Sequence, residues 1–337
     1  MHLKEYLIPQ KQVKLLYYFS SLLRELLPWS YSRRRLNAKL STLSNSDREH
    51  LQYRLNYYNK LTIPSVLSAN AQKLKDFKMP GRHTVYYFDF MEYARYFNPD
   101  FQSNLLSLDV TQVPDEPSIT KSRPVKEDNA NSVLLKLNKI RHFNFVKYDI
   151  PYLSKKDMLF WRGNSGQPAR LKFLLMYFKH PMCDLGFVNK TAGYADLEKE
   201  KVSINRHLKH KFVLCIEGND VATNLKWVMS SNSVAVCSIP KYETWFMEGT
   251  LIPDHHFIAI RDDFADLEEK LNYYITNPEK AQQIIYNAHQ HVAQFKDKYR
   301  EDLLSILVME KYFVCTGQLD PISDLLKAIH LSADRQA

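Results

Sequence analysis

The residues best suited to chemistry lie in two turns and at one isolated carboxylate. The first turn, FWRGNSGQPAR at 160–170, holds Arg162, Gly163, Asn164, Ser165 and Arg170, with Pro168 where a first helical turn accepts proline. The second lies within KHKFVLCIEGNDVATNLKWVMSSNSVAV at 209–236 and holds Gly218, Asn219, Asp220, Val221, Ala222, Thr223, Asn224 and Lys226. Each follows an apolar run and precedes a helix-like segment, so each reads as strand, turn, helix. Glycine lets backbone approach a ligand, and Asn219 and Asp220 are good N-caps. The N–H groups at a helix start hold anions, and a neighbouring arginine suits a diphosphate. An ordinary capped helix in an α/β protein would look the same. Neither turn is a Walker loop or a GxGxxG fingerprint. The carboxylate is Asp109, at the end of the apolar run 105–110, where it can serve as a general base or simply as a turn-former.

Short strands alternating with helices over 158–295 indicate an open parallel sheet, in which ligands bind at the carboxyl ends of the strands. The sequence predicts further strands at 84–88 and 105–110, a helix at 46–60 and helical character at 132–139. Between 110 and 125, Pro114, Pro117 and Pro124 punctuate a loop. Residues 1–45 are basic and helical, with Leu15, Leu16, Tyr18, Phe19, Leu22, Leu23, Leu26 and Leu27 on one apolar face. That face can pack on the protein or lie on an anionic membrane.

The chain has 337 residues, a length suited to two α/β domains, and its 46 Lys and Arg against 37 Asp and Glu give a net charge of +9. A basic surplus favours anionic partners. Nucleic acid is not expected, since no RNA-binding aromatic signature or arginine-rich tail is present. Cys183, Cys215, Cys237 and Cys315 form no CxxC pair and are expected to be reduced, in a cytoplasmic protein. His255 and His256, and His289 and His291, lack zinc-site spacing, and no Asp-x-Asp triplet occurs, so no metal and no cofactor is expected. No apolar run reaches the roughly 20 residues of a membrane span.

Taken together, the turns resemble glycosyltransferase family 90, the group of protein O-glucosyltransferases, capsule-associated proteins and bacterial lipopolysaccharide glycosyltransferases. FWRGNSGQPAR is similar to the family's "FRGS…R" turn, and the 209–236 stretch to its "YKYLFNFRG…K…L.GSLV" unit. LIPDHHFIAI with DLEEKL is similar to "LKPWVHYIPV…DL", and LSLDVTQVP to "RDYPQVP". The resemblance covers roughly 105–300. It implies a GT-B-like α/β fold: two Rossmann-like domains with a nucleotide-sugar cleft between them and extra N- and C-terminal helices. The division would be a basic segment 1–45, an acceptor-side domain 46–155, a nucleotide-sugar-binding domain 156–300 and helices 301–337. It also implies metal-independent, inverting transfer of a hexose from a UDP-sugar. Asp109 would be the base, Asn164 and Arg170 would contact the diphosphate, and Asn219 to Asn224 would form the second donor loop. Where eukaryotic members end that loop in arginine this chain has Asn224, and either Lys226 or Arg170 would supply the charge. The basic apolar N-terminal helix favours the bacterial branch, with the lipopolysaccharide or lipooligosaccharide inner core as acceptor and a peripheral place on the inner face of the inner membrane. A protein or capsule O-glycosyltransferase is the alternative enzyme. A basic module for nucleic acid or phospholipid is the non-enzymatic one.

Overall fold

The computed structural model describes residues 13–40, 47–126 and 128–333, with side chains to 328. The parts of the basic segment at 1–12 and 41–46 lie outside the described residues. The chain is mixed α/β and divides into two compact units.

One unit comprises Ile140–Lys241 and Phe246–Gln294. Its frame is a parallel sheet of five strands: β1 (Lys156–Gly163), β2 (Cys183–Phe187), β3 (His210–Leu214), β4 (Val234–Cys237) and β5 (Ile258–Ala259). Their spatial order is β2-β1-β3-β4-β5. Phe160 pairs with Val213, and Leu214 with Val236. β3 and β4 are buried at every position, which is why both read as unbroken apolar runs: a parallel sheet covered on two faces has no solvent side to alternate toward. Leu159, Trp161, Phe212, Leu214 and Val236 share one core with Phe173 and Leu174 of the helix Pro168–Tyr177 and Leu267 and Leu271 of the helix Leu267–Thr276. Phe160, between Leu159 and Trp161 in β1, instead stacks on the His210 ring, 4.3 Å between centroids.

The other unit comprises Val13–Lys139, Tyr242–Trp245 and the described part of 295–337. Its spine is the helix Lys298–Cys315, N-capped by the Asp297 side chain and buried from Leu303 to Cys315. Around it stand the helices Arg48–Tyr58 and Thr84–Ala94 and a small parallel sheet of Leu105–Leu106, Ser118–Thr120 and Ser132–Leu134. Tyr242–Thr244 pairs antiparallel with Ser122–Pro124. An ionic network lies inside this unit: Glu301 takes Arg54 at 2.6 Å, Lys136 at 3.0 Å and the Trp245 indole N–H at 2.6 Å. Burial alone would raise the Glu301 carboxyl, but Lys136 and Arg54 overcome it and hold it below the usual range.

Three expectations are corrected. The segment at 84–88 begins the helix Thr84–Ala94 rather than forming a strand. Its Tyr and Phe residues favour strands locally, yet Tyr86, Tyr87, Phe88, Phe90, Met91 and Tyr93 are all buried, and burial on every side suits a helix as well as a strand. At 132–139 the chain forms the strand Ser132–Leu134, and helix begins only at Lys139. At 105–110 the strand stops at Leu106, and Leu108 turns the chain out of it with φ of 75°. The four cysteines are buried, none in a disulfide, and burial raises each thiol.

Candidate active site

In the five-stranded sheet the strand order turns over between β1 and β3. The chain leaves β1 toward β2 on one side and β3 toward β4 on the other, so a crevice opens at the carboxyl ends of these two strands. Both sequence turns emerge there, one after Gly163 and one after Leu214.

Arg170 joins them. It lies in the first turn of the helix Pro168–Tyr177, and its guanidinium reaches back across the crevice. Nη1 donates to the Asn164 carbonyl at 3.2 Å, Nε to the Glu217 carbonyl at 3.1 Å and Nη2 to the Ile216 carbonyl at 3.3 Å. Three of five donors go to backbone, and none to a carboxylate, among the described residues. Burial lowers the guanidinium pKa, and repulsion from Arg141 lowers it further. Among the described residues no acid pairs with this guanidinium, and a second arginine, Arg141, is near enough to be felt. Such a place favours an anion.

The surrounding turns are pinned. Gln167 donates to the Asn219 side chain, tying one turn to the other. Asn189, just past β2, accepts from the Ser165 N–H at 2.9 Å and donates to the Ser165 hydroxyl at 2.9 Å. Asn224 donates to the Leu214 carbonyl at 2.8 Å, closing the second turn onto the end of β3. A Cβ at Gly218 would sit 3.0 Å from Arg170 Nη2 and crowd the guanidinium. At Gly163 a Cβ would run into the Trp161 ring.

The Glycosyl transferase family 90 profile matches residues 131–310. O-glucosyltransferase LpsA of Dichelobacter nodosus is 38% identical over 291 residues, 86% of this chain and 91% of that protein. The chain belongs to glycosyltransferase family 90. It is a glycosyltransferase. More distant relatives include Protein O-glucosyltransferase 3 of Rattus norvegicus, 26% identical over 142 residues (40% of this chain, 27% of the relative). The human protein of the same name is 24% identical over 170 residues, 48% of this chain and 32% of the relative.

Of the residues singled out in this transferase's sequence, Gly163, Asn164, Ser165, Arg170, Gly218 and Asn219 come together around the crevice. Others do not. Arg162 turns away to the neighbouring strand, where it pairs with Asp184 at 2.5 Å and donates to the Asp184 carbonyl at 2.9 Å. Lys226 is fully buried, its ammonium 2.6 Å from Glu248 and 5.4 Å from the centre of the Phe246 ring. Of the two cations, Arg170 is the one that lies at the crevice. Asp220, Val221 and Ala222 are also buried, whereas Thr223 and Asn224 are partly exposed. No helix begins after Gly218: the helix is the five-residue Leu225–Met229, starting behind Asn224, and Asn219 and Asp220 do not cap it. Asp109 belongs to the other unit. It is partly exposed, ion-paired to the buried Lys121, and followed by Val110, whose N–H donates to the Ser122 hydroxyl at 3.1 Å.

Asn189 and Arg141 carried no signal in the sequence, and Gln167, though inside the first turn, was not singled out. The one available cue for Asn189 is its place just beyond a strand adjacent to β1 in a parallel sheet. Among the described residues no group of three or more His, Cys, Asp or Glu is placed to hold a metal ion.

Proposed function

We propose that this enzyme transfers a hexose, with inversion, from a UDP-sugar to the inner core of lipopolysaccharide or lipooligosaccharide. The observation that supports the reading is Arg170: a half-buried guanidinium with no carboxylate partner among the described residues, held between two turns at the sheet's crossover. The donor diphosphate would take its remaining donors, flanked by the Asn164–Ser165 turn and by the second turn from Gly218 to Asn224. In the reading, the acceptor hydroxyl oxygen attacks C1 of the donor sugar and gives its proton to Asp109. The C1–O bond to phosphate breaks, and UDP leaves with the electron pair. Arg170 stabilises the charge growing on that leaving group, in the role a metal fills elsewhere. Asp109 and the crevice lie in separate units, and the reading takes the fold to be GT-B-like, with the acceptor bound on the Asp109 side of the chemistry.

The lipopolysaccharide acceptor draws support from the name of the relative that matches most of the chain, an O-glucosyltransferase LpsA, which also favours glucose as the sugar. A net charge of +9 suits a phosphorylated acceptor. The same reading places the enzyme in the cytoplasm, peripheral on the inner face of the inner membrane. Transfer from labelled UDP-glucose or UDP-galactose to purified core oligosaccharide tests it. The expected result is transfer by the parent enzyme. Asp109→Asn should lose it by a factor of roughly 100 or more while still binding UDP. Full activity of that variant removes Asp109 as the base. Transfer to a folded protein but not to core would favour the protein O-glucosyltransferase reading, which the weaker similarity to Protein O-glucosyltransferase 3 keeps in view.

A further inference from the structure

The helix Lys14–Leu26 sits on its unit the wrong way round for a soluble protein. Its polar side faces inward. The Tyr17 hydroxyl donates to Asp89 at 2.7 Å, Arg24 pairs with Glu92, and Glu25 accepts from the Tyr87 hydroxyl at 2.9 Å and lies 3.4 Å from Arg95. Arg95 also donates to the Leu27 carbonyl at 3.1 Å, fixing the end of the helix. Glu92 is buried, which alone would raise it, yet Lys139 and Arg24 pull it down to about 2. These ties hold the helix by its charged face. The apolar face is left outward: Leu15 is 79% exposed, Leu26 80% and Phe19 60%, with Leu16, Leu22 and Leu23 beside them. Isolated exposed apolar side chains are ordinary, but a full helical stripe of them marks an interaction surface.

Charge decides what covers it. Between 13 and 40 there are six Lys or Arg and one acid, Glu25. That acid is turned inward, whereas Lys14 at the start of the helix and Arg33, Arg34 and Arg35 in the segment that follows it are exposed. A second copy of the chain would set these like charges against each other. An anionic lipid surface neutralises them. Arg33 and Arg34 also line a cavity of about 500 Å³ together with Leu36, Phe97, Phe101 and Ile322.

We propose that the outward face of Lys14–Leu26, with the arginines that follow it, docks this enzyme on an anionic phospholipid bilayer. The proposal rests on the transferase reading only for its purpose, which is to bring the enzyme to a lipid-linked acceptor. Unlike the general peripheral location, it names the inserting side chains. The full-length protein is floated with phosphatidylethanolamine vesicles containing phosphatidylglycerol, and with phosphatidylcholine vesicles alone. Binding to the first and not the second is expected. Leu22→Gln with Leu26→Gln should weaken partitioning by roughly tenfold or more. Arg33→Gln with Arg34→Gln should weaken it by roughly fivefold per charge, with less effect in high salt. Both pairs are exposed, so thermal melting should not change. The proposal is overturned if the parent protein ignores anionic vesicles, or if the leucine pair leaves binding unaltered. It is also overturned if light scattering without lipid finds a dimer that the leucine pair dissolves. The UDP-induced rise in melting temperature, read on the same samples, separates the two ideas. A rise without flotation sinks the docking alone, and flotation without a rise sinks the UDP-sugar reading alone.

Discussion

Arg170 and Lys226 show how differently two cations in similar turns are used. Arg170 is half-buried and bonded to carbonyl oxygens, which in the proposed reading leaves its charge for the donor, whereas Lys226 is paired with Glu248. Arg170→Gln should therefore weaken UDP binding by roughly 10- to 100-fold, the loss of a charge-assisted contact worth about 1.5–3 kcal/mol, as titration calorimetry would read. Lysine should not rescue it, because an ammonium cannot span both turns as the guanidinium fork does. Lys226→Met should instead act on stability. It strands a buried carboxylate, costing about 3–5 kcal/mol in urea unfolding, while kcat per folded molecule stays unchanged. Adding Glu248→Gln should recover much of that loss. A Lys226→Met enzyme of normal stability but poor UDP affinity would return Lys226 to the donor site.

At the scale of elements, the helix Lys298–Cys315 is fixed to its unit through Glu301. Its carboxylate collects Arg54, Lys136 and the Trp245 indole in a site closed to water. Because the folded pKa is depressed, this contribution is complete above the unfolded carboxyl value near pH 4.3 and is lost as pH falls through the lower folded value. Glu301→Gln should destabilise the protein at neutral pH by about 3–5 kcal/mol and flatten the fall in stability below about pH 4.3. Denaturant unfolding as a function of pH checks both. An unchanged acid slope in the variant would place the titration elsewhere. The helix Thr84–Ala94 has a related role: its Asp89 and Glu92 are what turn the polar face of Lys14–Leu26 inward.

For the whole molecule the proposed chemistry assigns leaving-group stabilisation to a guanidinium. Transfer should accordingly persist in excess EDTA, at the rate measured in added magnesium, while the Arg170→Gln enzyme stays slow whether or not metal is supplied. Strong inhibition by EDTA, reversed by a divalent ion, would transfer that role to a metal. Family membership rests on the match over 131–310 together with 38% identity across most of the chain. The sugar and the acceptor belong to the proposal, and the assay with two donors and two acceptor types addresses them.

The sequence alone was enough for an open parallel sheet over 158–295 and for the glycine turn after its strand at 156–163, because strands buried on both faces must be written as short apolar runs; it did not show the strand Cys183–Phe187 or the late helix start at Leu225. It also showed one apolar stripe on the helix near the N-terminus, since a helical period is a local property. Long-range partners decided the rest. Lys226 and Arg162 looked equivalent to Arg170 until Glu248 and Asp184, each more than 20 residues away, claimed them. The aromatic run at 84–88 has strand-forming residues, but what surrounds it made it a helix buried on nearly every side. Whether the leucine stripe faces protein or solvent depended on acids about 70 residues on, whose charge could be satisfied only by the opposite face. Periodicity gives each helix its faces, but only the groups it meets in the folded chain choose which one turns inward.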